Sequence, residues 1–347
     1  MEQFIGCDAH RKYCVFVVVD ERGRSSRPLR CSTRREEFRA CLEQLPAGAD
    51  VGLEASGGWY WMVDEIERSG RRPRLAHPTE AKKRMPGKMK TDERDAGGIA
   101  MLLRNGTFPS VWIPPGELRD LRALLRTRLS LRQDQTALKN RIHAALARYG
   151  LREDDERDLF TRRARPLLES YLAMLPPRTS VATCAELAMV DGLERQVRGV
   201  EKRLREELRE DPTLRLLKSL PGVGEILGAT LALEIGAVER FANPERLSAY
   251  AGLVPVVRSS GGKSWLGETS KSSNHYLRWA YVEAACCVVA QKKRLAGSYA
   301  VRLYEEKKES KKSHAVAAVA LGHHLAEASW WMLHKGEVYR ERGRRPD

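Results

Sequence analysis

No long uninterrupted apolar run occurs in this chain. The nearest approach, AVAAVALGHHLAEASWWML near the C-terminus, is broken by two histidines and a glutamate, so the sequence excludes a membrane-spanning helix. The first residues, MEQFIGCDAHRK, hold no apolar stretch of useful length, and no signal peptide is expected. Cysteines number seven and never occur in a CxxC pair. That spacing argues against a cysteine-ligated zinc site or a disulfide framework, and points to reduced, mostly core thiols of a cytoplasmic protein. Acid is also in short supply: 46 Asp and Glu face 61 Lys and Arg, a formal charge of +15. Such a balance favours a polyanionic partner, with nucleic acid ahead of an acidic membrane surface. At 347 residues and 42% hydrophobic content, the chain can bury a sizeable core in two or three domains.

Strand and helix patterns alternate over roughly the first 110 residues, which predicts an α/β domain. FIGCDAHRKYCVFVVVDERGR reads as strand, tight loop and β-branched strand, a hairpin. STRREEFRACLEQL has helical periodicity through Phe38, Leu42 and Leu45, with Ser32 or Thr33 as N-cap. ADVGLEASGG reads as a strand ending at Glu54 before a Gly-rich turn, followed by a helix from Trp59 to Ser69. RPRLAHP is a further strand, and TDERDAGGIAMLLRNG a helix capped by Thr91 and ended by Gly106. The middle, residues 111–213, carries leucines at three- and four-residue spacing over two long stretches flanked by arginine. They predict two amphipathic helices forming an antiparallel pair or an assembly coiled coil; the plain alternative is an intramolecular hairpin with solvated arginines. Residues 214–335 read as a helical domain opening on a helix-hairpin-helix-like element, LLKSLPGVGEILGATLALEIG, and containing a polar Ser- and Gly-rich loop, VRSSGGKSWLGETSKSSN. Residues 336–347 form a basic tail.

Four carboxylates stand in suggestive places. Asp8 ends the first strand and Glu54 a later one, positions that face the ligand crevice of an α/β sheet. Asp92 and Asp95 are three apart on one helix and must repel each other unless something positive lies between them. Each alone has an ordinary explanation: a turn residue, a surface acid, or a cap that partners nearby lysines. Together, beside the basic run KKRMPGKMK, they point to Mg²⁺, with Mn²⁺ as a substitute, held for phosphodiester chemistry. Lys82, Lys83, Arg84, Lys88 and Lys90 in that run are candidate nucleic-acid contacts, against the default of a solvated loop. In RSSGGKS, Ser259, Ser260 and Ser264 are candidate nucleophiles, with Arg258 and Lys263 to offset phosphate charge. No nearby histidine supports a Ser-His-Asp arrangement. In LPGVGEILG, the amides of Gly222 and Gly224 are candidates to grip a backbone phosphate; the alternative is a tight turn serving geometry alone.

GCDAHRK with Asp8, LEASGGW with Glu54 and KTDERDA with Asp92 and Asp95 resemble, in that order, the DEDD motif of a large group of bacterial insertion-sequence transposases. SLPGVGEILGATLALEIG, FANPERLSAYAGLVP and the Ser-Gly loop resemble that family's C-terminal domain. The resemblance implies a ribonuclease H-like, resolvase-like catalytic domain over 1–110 and a C-terminal transposase domain. It makes Ser260, the serine before Gly261, the nucleophile that forms a 5′-phosphoserine link to DNA. It further implies a homo-oligomer, dimers pairing into tetramers, and a structured bridge RNA that pairs with donor and target DNA. The expected protein is therefore a nucleoid-associated DNA recombinase that conserves phosphodiester energy. Its rival is a metal-dependent nuclease or Holliday-junction resolvase in which the four acids activate water.

Overall fold

The computed structural model describes residues 2–85, 91–151, 158–260, 263–269, 273–311 and 313–341, with backbone alone for 256–260 and 263–269. The chain forms two compact units, Met1–Pro114 and Pro115–Asp347. Among the described residues, no helix is long and apolar enough to cross a membrane.

The first unit runs β1 (Gln3–Ala9), β2 (Tyr13–Asp20), β3 (Leu29–Ser32), α1 (Arg35–Glu43), β4 (Asp50–Glu54), α2 (Trp59–Arg68), β5 (Arg72–Ala76), α3 (Pro78–Arg84), α4 (Asp92–Arg104) and β6 (Ser110–Val111). Its open sheet has the order β3-β2-β1-β4-β5-β6. β2 runs antiparallel to β1, whereas β4 and β5 run parallel to it. One face of the sheet buries Ile5, Cys7, Phe16 and Leu53 against Phe38 and Leu42 of α1 and Val63 and Ile66 of α2. The other buries Val15, Val17 and Val19 against Ala96 and Ala100 of α4. A strand covered on both sides needs apolar residues at every position, which is why β2 reads as an unbroken CVFVVV.

Two glycines set how closely α4 approaches. A Cβ on Gly6 of β1 would lie 1.9 Å from the Ala96 carbonyl oxygen, and one on Gly52 of β4 would lie 2.7 Å from Ile99 Cγ2. Side chains alternate along a strand, so residues two positions on share the same face. Asp8 follows Gly6, and Glu54 follows Gly52. Each glycine therefore admits the helix, and the acid two residues later faces the space beside it. Gly6→Ala is expected to force α4 outward, because the atom it meets is backbone and cannot rotate away. The expected cost is about 1–3 kcal/mol or more, read as a lower urea midpoint.

The second unit contains α5 (Gly116–Arg148), α6 (Arg165–Met174), α7 (Pro177–Glu207), α8 (Pro212–Leu217), α9 (Glu225–Ile235), α10 (Pro244–Tyr250), β7 (Pro255–Ser260), β8 (Lys263–Thr269), α11 (His275–Ala290), α12 (Tyr299–Lys311) and α13 (His314–Lys335). Leu125 and Leu129 of α5 cluster with Leu204 of α7 and Leu208 just beyond it, whereas Leu138, Ile142 and Leu146 cluster with Leu187 and Val190. As one number rises the other falls, so the two long helices are antiparallel. Their arginines are not simply solvated. Arg128 meets Glu201 at 2.7 Å, Arg132 meets Glu194 at 2.5 Å and Arg141 meets Glu186 at 2.8 Å. Leu214, Ala229 and Leu233 join the Leu125 cluster, so the helical pair and the segment after it share one core.

Two sequence expectations need correction. The Ser- and Gly-rich segment is not a loop within an all-helical domain: β7 and β8 pair antiparallel, with Ser259 opposite Ser264 and Ser260 opposite Lys263. The N-cap of α1 is Arg34, which makes no side-chain cap bond; neither Ser32 nor Thr33 holds that position. Thr91 does cap α4, accepting from Arg94 N at 3.3 Å.

Candidate metal centre and serine hairpin

Asp8 sits at the C-terminal end of β1, one residue past Cys7, which pairs with Leu53 of β4. Glu54, the last residue of β4, stands beside it on the neighbouring strand. The first turn of α4 supplies Asp92 and Asp95, where the positive end of the helix dipole favours acid. Among the described residues, the metal-type donor atoms that come within 4.8 Å of one another are those of Asp8, His10 and Asp92. Asp95 is near enough that its charge raises the Asp8 pKa. Glu54 lies outside the tight group and has an interaction of its own. The structure thus brings Asp8 and Asp92 together, sets Asp95 close by, and leaves Glu54 on the adjoining strand end.

His10 Nε2 lies 3.0 Å from Asp8 Oδ2 and 3.2 Å from Asp92 Oδ1. Its contact with Asp8 is short but poorly aligned, and both Asp8 Oδ2 and His10 Nε2 are buried without a hydrogen-bond partner. Tyr13 Oη donates to Asp92 Oδ2 at 2.8 Å. The Tyr13 ring lies 4.6 Å from that of His10, and the Arg30 guanidinium sits 3.7 Å from the Tyr13 ring centre. Burial pushes the Asp8 carboxyl above the usual range; the His10 charge opposes this, while Asp95 and Asp92 add to it. Asp92 is held below its ordinary value, chiefly by the Tyr13 hydroxyl. Two carboxylates and an imidazole that converge without an aligned hydrogen bond between Asp8 Oδ2 and His10 Nε2 fit a divalent cation, which would take a lone pair from each. Sequence reasoning missed His10 and Tyr13. The signal was Asp8-x-His10: a further step of two in the same period, one residue past the end of the strand.

The basic run is only partly described; Lys88 and Lys90 lie outside the described residues. Lys82, Lys83 and Arg84 are exposed on α3. Lys83 pairs with Glu80 at 2.7 Å, and Arg84 donates to the Thr107 carbonyl at 2.8 Å.

In the second unit, Ser260 ends β7 opposite Lys263; Gly261 lies outside the described residues, and the side chains of Arg258, Ser260 and Lys263 are likewise not described. The base of this hairpin is well anchored. Asn274 N donates to the Tyr250 carbonyl at 2.8 Å, and the Asn274 side chain caps α11 by accepting from Tyr276 N and Leu277 N. Asn274 Nδ2 also donates to Glu234 Oε2 at 2.8 Å. Glu234, fully buried, accepts twice from Arg126 of α5 at 2.7 and 2.9 Å.

The turn between α8 and α9 has a packing role of its own. Gly222 has φ +76°, and a Cβ there would lie 2.1 Å from the Ala284 carbonyl oxygen of α11. Only glycine fits. Gly224, the N-cap of α9, faces open space. Beside it lies a cleft of about 860 Å³, bordered by Lys218, Gly224, Arg294, Arg302, Tyr339 and Glu341 among others. Tyr339 N donates to Ser219 Oγ at 2.8 Å, and Glu341 Oε1 accepts from Tyr299 N, at the start of α12, at 2.9 Å.

Comparison with known proteins shows the kin of this arrangement. Residues 214–300 match the family model "Transposase IS116/IS110/IS902 family", and residues 5–151 match the DEDD model of IS110-type elements, described as a transposase. A probable family 20 transposase of Pseudomonas aeruginosa is 28% identical over 88% of this chain and 90% of its own length. The transposase for insertion sequence element IS1111A of Coxiella burnetii is 26% identical over 97% and 91%, and that for IS1328 of Yersinia enterocolitica is 26% identical over 83% and 85%. The chain belongs to the IS110/IS116/IS902 family of transposases.

Proposed function

We propose that this protein is a DNA transposase that breaks and rejoins strands through a serine ester, with Asp8, Glu54, Asp92 and Asp95 forming a divalent-cation site in a ribonuclease H-like domain. The observation that carries the reading is the convergence of Asp8 and Asp92, far apart in sequence, on one face of the sheet with His10 Nε2 between them, in a chain that matches the two transposase models in order.

The chemistry follows from the residues. Bound Mg²⁺ or Mn²⁺ would polarise the scissile phosphate and stabilise the charge that develops on it. Asp8 and Asp92 would hold the cation, and Tyr13 fixes the Asp92 carboxylate by bonding its second oxygen. The Ser260 hydroxyl attacks phosphorus and gives up its proton. A new phosphorus–serine oxygen bond forms, the bond to the 3′ oxygen breaks, and that oxygen leaves as a hydroxyl after taking up a proton. A different 3′ hydroxyl then attacks the phosphoserine and restores the serine. Arg258 and Lys263 balance phosphate charge. Donor and target DNA are the substrates, a bridge RNA supplies sequence choice by pairing, and the chain acts as dimers joined into tetramers. Lys82, Lys83, Arg84, Lys88 and Lys90 contact the nucleic-acid backbone, as do the α8–α9 turn and its cleft.

The test is a denaturant-resistant protein–DNA adduct formed with Mg²⁺ and the guide. Ser260→Ala should abolish both adduct and strand exchange, whereas Ser259→Ala should retain them. Continued cutting by Ser260→Ala without any adduct would favour the rival, a nuclease or Holliday-junction resolvase that activates water. The cleft has its own test. Arg294→Ala and Arg302→Ala should each weaken DNA binding across all sequences and lower the slope of log affinity against log salt by about one, measured by fluorescence anisotropy.

A further inference from the structure

We infer that His10 is a nitrogen ligand of the cation site, and that it makes the site prefer a first-row transition ion, Mn²⁺ in the experiment below, over Mg²⁺. The inference rests on reading the Asp8–Asp92 cluster as a cation site. Three observations support it.

The first is spacing. In an octahedral shell with bonds of about 2.1 Å, adjacent donor atoms lie about 3.0 Å apart. His10 Nε2 stands 3.0 Å from Asp8 Oδ2 and 3.2 Å from Asp92 Oδ1, so each oxygen–nitrogen gap matches one edge of such a shell. The second is alignment: these atoms face one another at close range, yet not along a hydrogen-bond direction. Asp8 Oδ2 and His10 Nε2 are buried with no aligned hydrogen bond. The third is orientation. Tyr13 packs its ring against His10 and bonds Asp92 Oδ2, which leaves Oδ1, the oxygen that faces His10, free to bind. Tyr13 thereby positions both donors, the usual task of a residue just behind a metal ligand.

The donor set then decides the ion. Mg²⁺ is hard, takes oxygen ligands and keeps its waters. Imidazole favours first-row transition ions, and affinity for them rises from Mn²⁺ onward along the series. One nitrogen with two carboxylate oxygens therefore favours Mn²⁺ over Mg²⁺. The competing role for His10 is an internal counter-charge that fills the gap between two carboxylates until a cation displaces it. The two roles predict opposite signs: loss of a ligand weakens Mn²⁺ selectively, whereas loss of a counter-charge strengthens both ions alike.

The experiment is calorimetric titration of the full chain, without nucleic acid, with MnCl₂ and with MgCl₂. Wild type should bind Mn²⁺ at least tenfold more tightly than Mg²⁺. His10→Ala should weaken Mn²⁺ about tenfold or more and leave Mg²⁺ nearly unchanged, so the preference collapses, while Asp92→Asn should weaken both. Pulsed electron paramagnetic resonance of the wild-type Mn²⁺ complex should show coupling to one imidazole nitrogen, lost in His10→Ala; this readout does not depend on the variant folding well. An unchanged Mn²⁺:Mg²⁺ ratio in His10→Ala, tighter binding of both ions, or no nitrogen coupling in wild type would overturn the assignment and leave the carboxylate site standing. If wild type binds neither ion, the cation site and this inference fail together.

Discussion

Asp92→Ala is expected to lower cleavage and adduct formation at least 1,000-fold, about 4 kcal/mol of transition-state stabilisation, while leaving the melting temperature almost unchanged. The asymmetry follows from its surroundings. The Asp92 side chain is 39% exposed and fills no core space, so its loss should cost the fold under about 1 kcal/mol. Its removal even relieves repulsion with Asp8. The proposed site loses far more: an oxygen that would face the cation, the acceptor of the Tyr13 hydroxyl, and one of the two carboxylates beside His10. Asp92→Asn should behave similarly, since an amide keeps the shape but not the charge. A fall in melting temperature matching the fall in activity would show that Asp92 serves the fold and would remove it from the chemistry. Cleavage assays and thermal unfolding on one preparation decide between them.

The second large effect belongs to stability. Glu234→Ala is expected to destabilise the Pro115–Asp347 unit by about 3–5 kcal/mol. Its carboxylate has no solvent exposure, nor has Arg122 much, with 6%. Burial alone would push the Glu234 carboxyl up, but the Arg126 bonds, the Asn274 amide and the Arg122 charge outweigh it and leave it below the ordinary glutamate value. Without Glu234, Arg126 loses both of its bonds to that carboxylate and Arg122 loses its counter-charge, while its backbone acceptors at Leu233 and Glu234 remain. Glu234→Gln should lie between wild type and alanine, because it keeps one acceptor but no charge. The pH dependence has a definite sign. A carboxyl with a lowered folded-state pKa contributes its stability fully above the unfolded value and loses it as pH falls through the folded one. The urea midpoint difference between wild type and Glu234→Gln should therefore be largest near neutral pH and shrink in acid below the normal glutamate range.

Much of the first unit could be read from the chain because its signals are local. The strand before Asp8, the strand before Glu54, the Thr91 cap and the amphipathic long helices all announce themselves by spacing within a few residues. The pairing of the acids was inferred from chain position alone. Its physical cause lies in two glycines: Gly6-x-Asp8 and Gly52-x-Glu54 each place a residue without a side chain under α4 and an acid two steps further. His10 continued that period and went unread because it follows the last strand residue. The hairpin around Ser260 was hidden for a different reason. Its serines and glycines are turn formers by propensity, and no apolar alternation marks the strands, so composition argued for a loop. The clamp at Glu234 was invisible as well, since an acid inside an apolar helix such as LALEIG reveals its partners, Arg126 and Asn274, only when distant segments meet.

Asn274 has a role that extends past its own helix. Asn274, the N-cap of α11, also ties its backbone to the Tyr250 carbonyl and shares the Glu234 carboxylate with Arg126 of α5. A shift of α5 that pulled Arg126 off Glu234 would disturb the carboxylate that Asn274 bonds. The long helix α5 and the start of α11 therefore share one buried anion, and a change at either end is felt by the other.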